Sequence, residues 1–147
     1  MAITWPIVFT SRPNRTPETQ AWHEARLHVS ILNRVQQAHY LEKGHFSDSI
    51  ETLALGGGID DEIETNRYYR YAIALAPDQN SSQQFAIAKS KNLTSFTGLV
   101  WQNCIDEPVD GCTTLCKSNE PTTTQAPVFS VQPDLKSIEC PKGYGGY

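Results

Sequence analysis

Residues 16–44, TPETQAWHEARLHVSILNRVQQAHYLEKG, limit the fold of this chain more than any other stretch. They carry both the start and the stop signal of one long helix. Thr16 is a capping residue, Pro17 suits the first helical turn, and Glu18 favours the positive end of the helix dipole. At the other end Lys43 stands in the last turn, and Gly44 can adopt the left-handed conformation that closes a helix. Leu27, Ile31, Val35, Ala38 and Leu41 share one stripe at helical spacing, and this stripe is expected to rest on a sheet. Burying its four larger side chains would contribute on the order of 1.5–3 kcal/mol each.

A second stripe, Trp22, Val29, Leu32 and Tyr40, lies roughly opposite. The plainer reading is that a loop or the N-terminal segment covers it. The sharper reading makes it a partner surface, because exposed apolar patches mark contacts. Trp5, Ile7 and Phe9 join it as partner-contact candidates. They lie in residues 1–15, where Pro6 and Pro13 forbid a continuous helix and an extended arm is expected. Residues 16–147 are expected to form a single domain.

The 147 residues suffice for one sizeable core, and 39% hydrophobic with 19% charged content places the chain among globular proteins. The 12 Lys and Arg are scattered and the formal net charge is -4, so no basic stripe meets a phosphate backbone, and nucleic acid is not an expected partner. The most apolar run, Ile3 to Phe9, is interrupted by Pro6 and is far shorter than the ~20 residues that span a bilayer. The opening MAIT lacks the basic start of a secretory signal.

After the helix, Ile50, Leu53 and Leu55 are expected to tuck in as a short turn, and Gly56, Gly57 and Gly58 form a permissive loop. The residues after those glycines are acidic, which argues against a phosphate loop. Aromatic and branched residues then mark strands at Arg67–Leu75, Gln84–Ala88 and Ser95–Gln102, the first two as a hairpin across the turn-rich APDQNSS. Gly98 within the third marks a bulge or a close backbone approach. Thr113–Cys116 is expected as a fourth strand, Val128–Val131 as a short one, and Pro141–Tyr147 as a Gly- and Tyr-rich end. One long helix followed mainly by strands predicts an α+β domain with an antiparallel sheet of about four strands and a loop-rich C-terminal region.

Candidate chemistry is sparse. His23, His28, His39 and His45 contain no i, i+4 pair on the helix, so they are read as surface histidines and no metal ligand is assigned. No nucleophile elbow and no Cys–His pair stands out, so no catalytic residue and no cofactor are assigned. Two acidic runs, Asp60–Asp61–Glu62 and Asp106–Glu107–Asp110, offer oxygen ligands for calcium, but neither has EF-hand spacing, and solvated loops are the plainer reading. Tyr68 and Trp101 read as sheet packing, whereas Tyr144 and Tyr147 fit packing or a contact face equally. Asn14, Asn80 and Asn92 begin N-x-S/T triplets, which matter only in a glycosylating host. Cys104, Cys112, Cys116 and Cys140 permit three pairings. Their clustering favours disulfides and an oxidising compartment, while the missing signal argues for the cytoplasm.

The ordered series LNRVQQAHYLEKGHF, SIETLALG, YRYAI, FTGLVW, LCKSNEP and ECP resembles the type IV pilin-like proteins of the G/H group, known mostly from cyanobacteria. The likeness runs from about Ala25 to Pro141. It implies a pilin-like head in which a long helix packs on an antiparallel sheet and a disulfide staples the C-terminal region. The resemblance matches Cys116 and Cys140 to the family's pair and leaves Cys104 and Cys112 as an added pair. Pseudopilins, more distant in likeness, can hold calcium in a sheet-side loop. MAITWPIVFTSRPNRTPE stands where a pilin has a basic leader and a bilayer-length apolar helix, so a head without the usual membrane helix is expected. The implied role is non-enzymatic: a minor pilin or pilus-assembly accessory working through protein–protein contact at the periplasm or cell surface. The alternative is an accessory subunit of a larger membrane-bound complex, such as a photosynthetic one, that reuses the scaffold.

Overall fold

A computed structural model describes residues 16–53, 55, 58–102, 113–129 and 139–147. The long helix α1 spans Pro17–Lys43 with both ends closed as the sequence specifies. The Thr16 hydroxyl accepts from the Thr19 N–H at 3.2 Å. Gly44, at φ 79°, donates its N–H to the Tyr40 carbonyl at 2.8 Å. A 3-10 turn at Glu51–Leu53 follows, then a short helix α2, Ile59–Glu64, in part of the stretch read as an acidic loop. Leu53 is buried with Leu32 and Ile63, and Ile50 and Leu55 pack against them, so the expected tuck forms.

The strands are β1 Tyr69–Leu75, β2 Ser81–Ala88, β3 Phe96–Trp101, β4 Thr113–Ser118 and β5 Tyr144–Gly146. They make one antiparallel sheet in sequence order, with Tyr69 opposite Ala88, Gln84 opposite Gly98 and Thr97 opposite Cys116. The fold is the expected α+β arrangement, with five strands among the described residues where about four were expected. Residues 144–146 of the Gly- and Tyr-rich end add to β4 through the pairs Cys116–Gly146 and Ser118–Tyr144. Val128 and Phe129, expected to begin a strand, are irregular; Phe129 instead caps a cluster with Leu99 and Cys116 on the far side of the sheet.

The helix presents the opposite face from the one expected. Val29 and Leu32 are 0% exposed and form the core with the sheet, whereas Leu27 and Leu41 are 52% and 72% exposed. Ala38 is exposed as well, Ile31 is half-buried, and within that stripe Val35 packs against the Leu32 cluster. The reason is chemical. The strand floor beneath α1 carries Ser82 and Gln84, both fully buried, so the helix meets it with Asn33 and Gln36 as well as with apolar residues. Counting apolar residues alone therefore selects the wrong face. Ala21 and Ala25 keep the first half of the helix close to Ala86, Ala88 and Phe96.

The outer face of the sheet is also covered. Gln83 donates to the Pro127 carbonyl at 3.0 Å and accepts from the Phe129 N–H at 3.2 Å. These bonds hold residues 126–129 over Phe85, Ile87 and Leu99. Cys116 of β4 is bonded to Cys140, with Cα atoms 5.9 Å apart. This is the pair that the resemblance implied. Cys104 and Cys112 lie outside the described residues.

Candidate contact surface and the polar layer beneath it

The helix–sheet layer is built from directional bonds. Gln36 donates to the Ser47 carbonyl at 2.7 Å and to the Ser82 hydroxyl at 2.9 Å, and accepts from the Ser47 N–H at 2.9 Å. The Ser82 hydroxyl donates to the Gln84 side-chain oxygen. Gln84 donates to Asn33 Oδ1 at 2.6 Å, and Asn33 donates to the Thr114 carbonyl at 3.1 Å. The relay runs from the loop after α1, across β2, to β4. Every amide in it is paired, which is the condition for burying such groups without a large penalty. It also gives the reason for Gly98. A Cβ there would fall 2.6 Å from Asn33 Nδ2, so Gly98 is the close approach read from the sequence.

A second polar link joins three elements. His28, on the buried side of α1, meets the Tyr71 hydroxyl of β1 at 2.9 Å through Nδ1 and Glu62 of α2 at 3.0 Å through Nε2. A carboxylate only accepts, so Nε2–H donates to Glu62; in the neutral ring Nδ1 then accepts from the Tyr71 O–H. Burial, together with the nearby Tyr69, Glu24 and Glu62, raises the Tyr71 hydroxyl well above its ordinary pKa. His28 is therefore an interior residue, not the surface histidine that its spacing implied.

Among the partner-contact candidates, Val29 and Leu32 are fully buried under the helix and have no surface to offer. Trp22 is half-buried. Its Nε1–H donates to the Thr94 hydroxyl at 2.9 Å, and its ring stands edge-on to Phe96 and Tyr147. Tyr40 is half-buried against Phe46, ring centroids 4.9 Å apart. Trp5, Ile7 and Phe9 lie outside the described residues. Of the C-terminal tyrosines, Tyr144 packs, whereas Tyr147 touches Trp22 and Phe96 and stays 54% exposed. Tyr144 joins both outer-face clusters, and Tyr147 donates its N–H to the Leu115 carbonyl at 3.1 Å, beneath the Arg26 guanidinium. The apolar surface left open on α1 is the stripe that the sequence assigned to the core, with Leu27 and Leu41 its most exposed members.

Of the acidic runs, Asp60, Asp61 and Glu62 form the first turn of α2, where carboxylates suit the helix dipole, and Glu62 is engaged by His28. The run at Asp106, Glu107 and Asp110 lies outside the described residues. Among the described residues no three of His, Cys, Asp and Glu gather as metal ligands, and no helix is long and apolar enough to cross a membrane.

Comparison with known proteins agrees with this architecture. The family described as Type IV pilin-like G and H matches residues 23–141, from the first third of α1 to the residue after Cys140. Neither the curated proteins nor the solved structures provide a match. The family match covers well over half of the sequence, and the folded chain has the long helix, antiparallel sheet and C-terminal disulfide that the resemblance implied. The chain belongs to the type IV pilin-like G and H family.

Proposed function

We propose that this chain is a structural, non-catalytic pilin-like subunit, a minor pilin or pilus-assembly accessory, that docks onto another pilin-like subunit through the outward stripe of α1. The observation that carries this reading is the exposure of Leu27 and Leu41, at 52% and 72%. They lie fourteen positions apart, about 21 Å along the helix axis, with half-buried Ile31 and exposed Ala38 between them. Exposed Arg34 stands between them on the same face, so the stripe is apolar with one cation at its middle, and apolar surface left open along a helix marks a contact surface. The Cys116–Cys140 bond supports an oxidising setting such as the periplasm or the cell surface. Pairing among the buried amides supports a structural role, since they are spent on each other and on backbone rather than directed into a cleft.

The test is affinity capture of the tagged chain from native membranes, with Leu27→Glu/Leu41→Glu in parallel. Pilus components are expected with the wild-type chain and absent with the variant, at unchanged melting temperature. Undiminished capture by the variant sinks the proposed face. Recovery of subunits of another membrane-bound complex moves the function to that complex.

A further inference from the structure

We propose that His39 and His45 bind a divalent transition ion of borderline softness, with zinc, nickel and copper as the class. The two residues lie six apart, and the helix ends between them. The left-handed Gly44 turns the chain back, so His45 returns to the last turns of α1 beside His39. Their ring centroids are 5.2 Å apart with planes at 74°. Two imidazoles on one tetrahedral ion, each nitrogen about 2.0–2.1 Å from the metal, place their ring centres about 5 Å apart.

His45 Nδ1 lies 3.1 Å from the Phe46 carbonyl, which can only accept. In the neutral ring the proton is therefore on Nδ1 and the Nε2 lone pair is available, as in most metal-bound histidines. His39 Nε2 is buried and has no hydrogen-bond partner. A buried polar atom left in that state is unfavourable, and coordination to a metal removes the deficit.

Both rings line a concavity of about 450 Å³, which Asp48 and Thr52 also border. Lys43 borders it too, but its ammonium lies 3.9 Å from the Glu42 carboxylate, and both side chains are exposed. The protein supplies two nitrogen ligands, and water fills the remaining positions. Imidazole nitrogens select zinc, nickel or copper over calcium and magnesium.

The experiment titrates the untagged full chain with zinc by calorimetry, beside His39→Gln, His45→Gln and His23→Gln. One ion per chain is expected for wild type and His23→Gln, with binding abolished in the other two. Absence of saturable binding to wild type, or undiminished binding in both His39→Gln and His45→Gln, overturns the proposal. Copper electron paramagnetic resonance on the wild-type chain needs no variant to fold. Hyperfine structure from two imidazole nitrogens supports the site, and one or none refutes it.

Discussion

Gly98 of β3 lies directly beneath Asn33 of α1, so close that a Cβ at Gly98 would come within 2.6 Å of Asn33 Nδ2 and 2.8 Å of Oδ1. Val29 closes the same spot from the side, at 2.9 Å. Asn33 has no room to yield, because its amide is tied to Gln84 and to the Thr114 carbonyl. Gly98→Ala is therefore expected to lift the helix and to lower stability by about 1–3 kcal/mol, the range for overpacked interiors. Urea unfolding followed by circular dichroism measures it. An unchanged midpoint would show that the helix sits further from β3.

The two faces of α1 are expected to respond to polarity in opposite ways. Gln36→Leu leaves the Ser47 N–H and carbonyl without their side-chain partner, at a cost of about 1–3 kcal/mol for each group left unpaired, while the Ser82 hydroxyl keeps its bond to Gln84. Leu27→Gln, on the exposed face, should stay within about 0.5 kcal/mol of wild type. Chemical denaturation of the two variants side by side tests this, and the reverse ranking would restore the face order read from apolar periodicity.

Cleaving the Cys116–Cys140 bond releases a loop with a sequence separation of 24. Cys140→Ser is expected to lose about 3 kcal/mol, and reductant should lower the wild-type melting temperature by more than the variant's, which keeps Cys104 and Cys112. Differential scanning calorimetry with and without reductant gives both results.

High pH is expected to unfold the protein through its tyrosines. Burial raises the hydroxyls of Tyr69, Tyr71 and Tyr144 above their ordinary value. The unfolded chain then gives up these protons first, as pH passes about 10, while the folded chain still holds them. Their contribution to stability is complete below that pH and is lost as pH rises beyond it. Phenolate absorbance should show a late fraction of the six tyrosines ionising together with loss of the far-ultraviolet helix signal. Early ionisation of all six without unfolding contradicts the buried positions of these rings.

The ends of α1 were legible because caps are local. Thr16, Pro17 and Gly44 each act within one turn of their own position. Its orientation was not legible. Asn33 and Gln36 look like solvent-facing residues until the strand that receives them is known, and that strand begins some 50 residues later, at Ser81. Strand β5 is silent in the sequence for a related reason. Tyr144–Gly146 has almost no side-chain pattern and becomes a strand only through backbone pairing with β4. The disulfide emerged from the family resemblance, since spacing alone left three pairings open. The meeting of His39 and His45 depends on the reversal at Gly44, and helical spacing has no meaning across such a turn.

The amide relay also governs how the molecule carries mechanical load. Purely oily contacts would let a tugged helix creep along its bed, exchanging one neighbour for another. A displacement of one turn, about 5.4 Å, would here part Gln36 from Ser47 and Asn33 from Thr114 at once and leave all of them dry. Traction along α1 is accordingly resisted until it fails abruptly, and the force passes into β2 and β4 through the side chains that grip them.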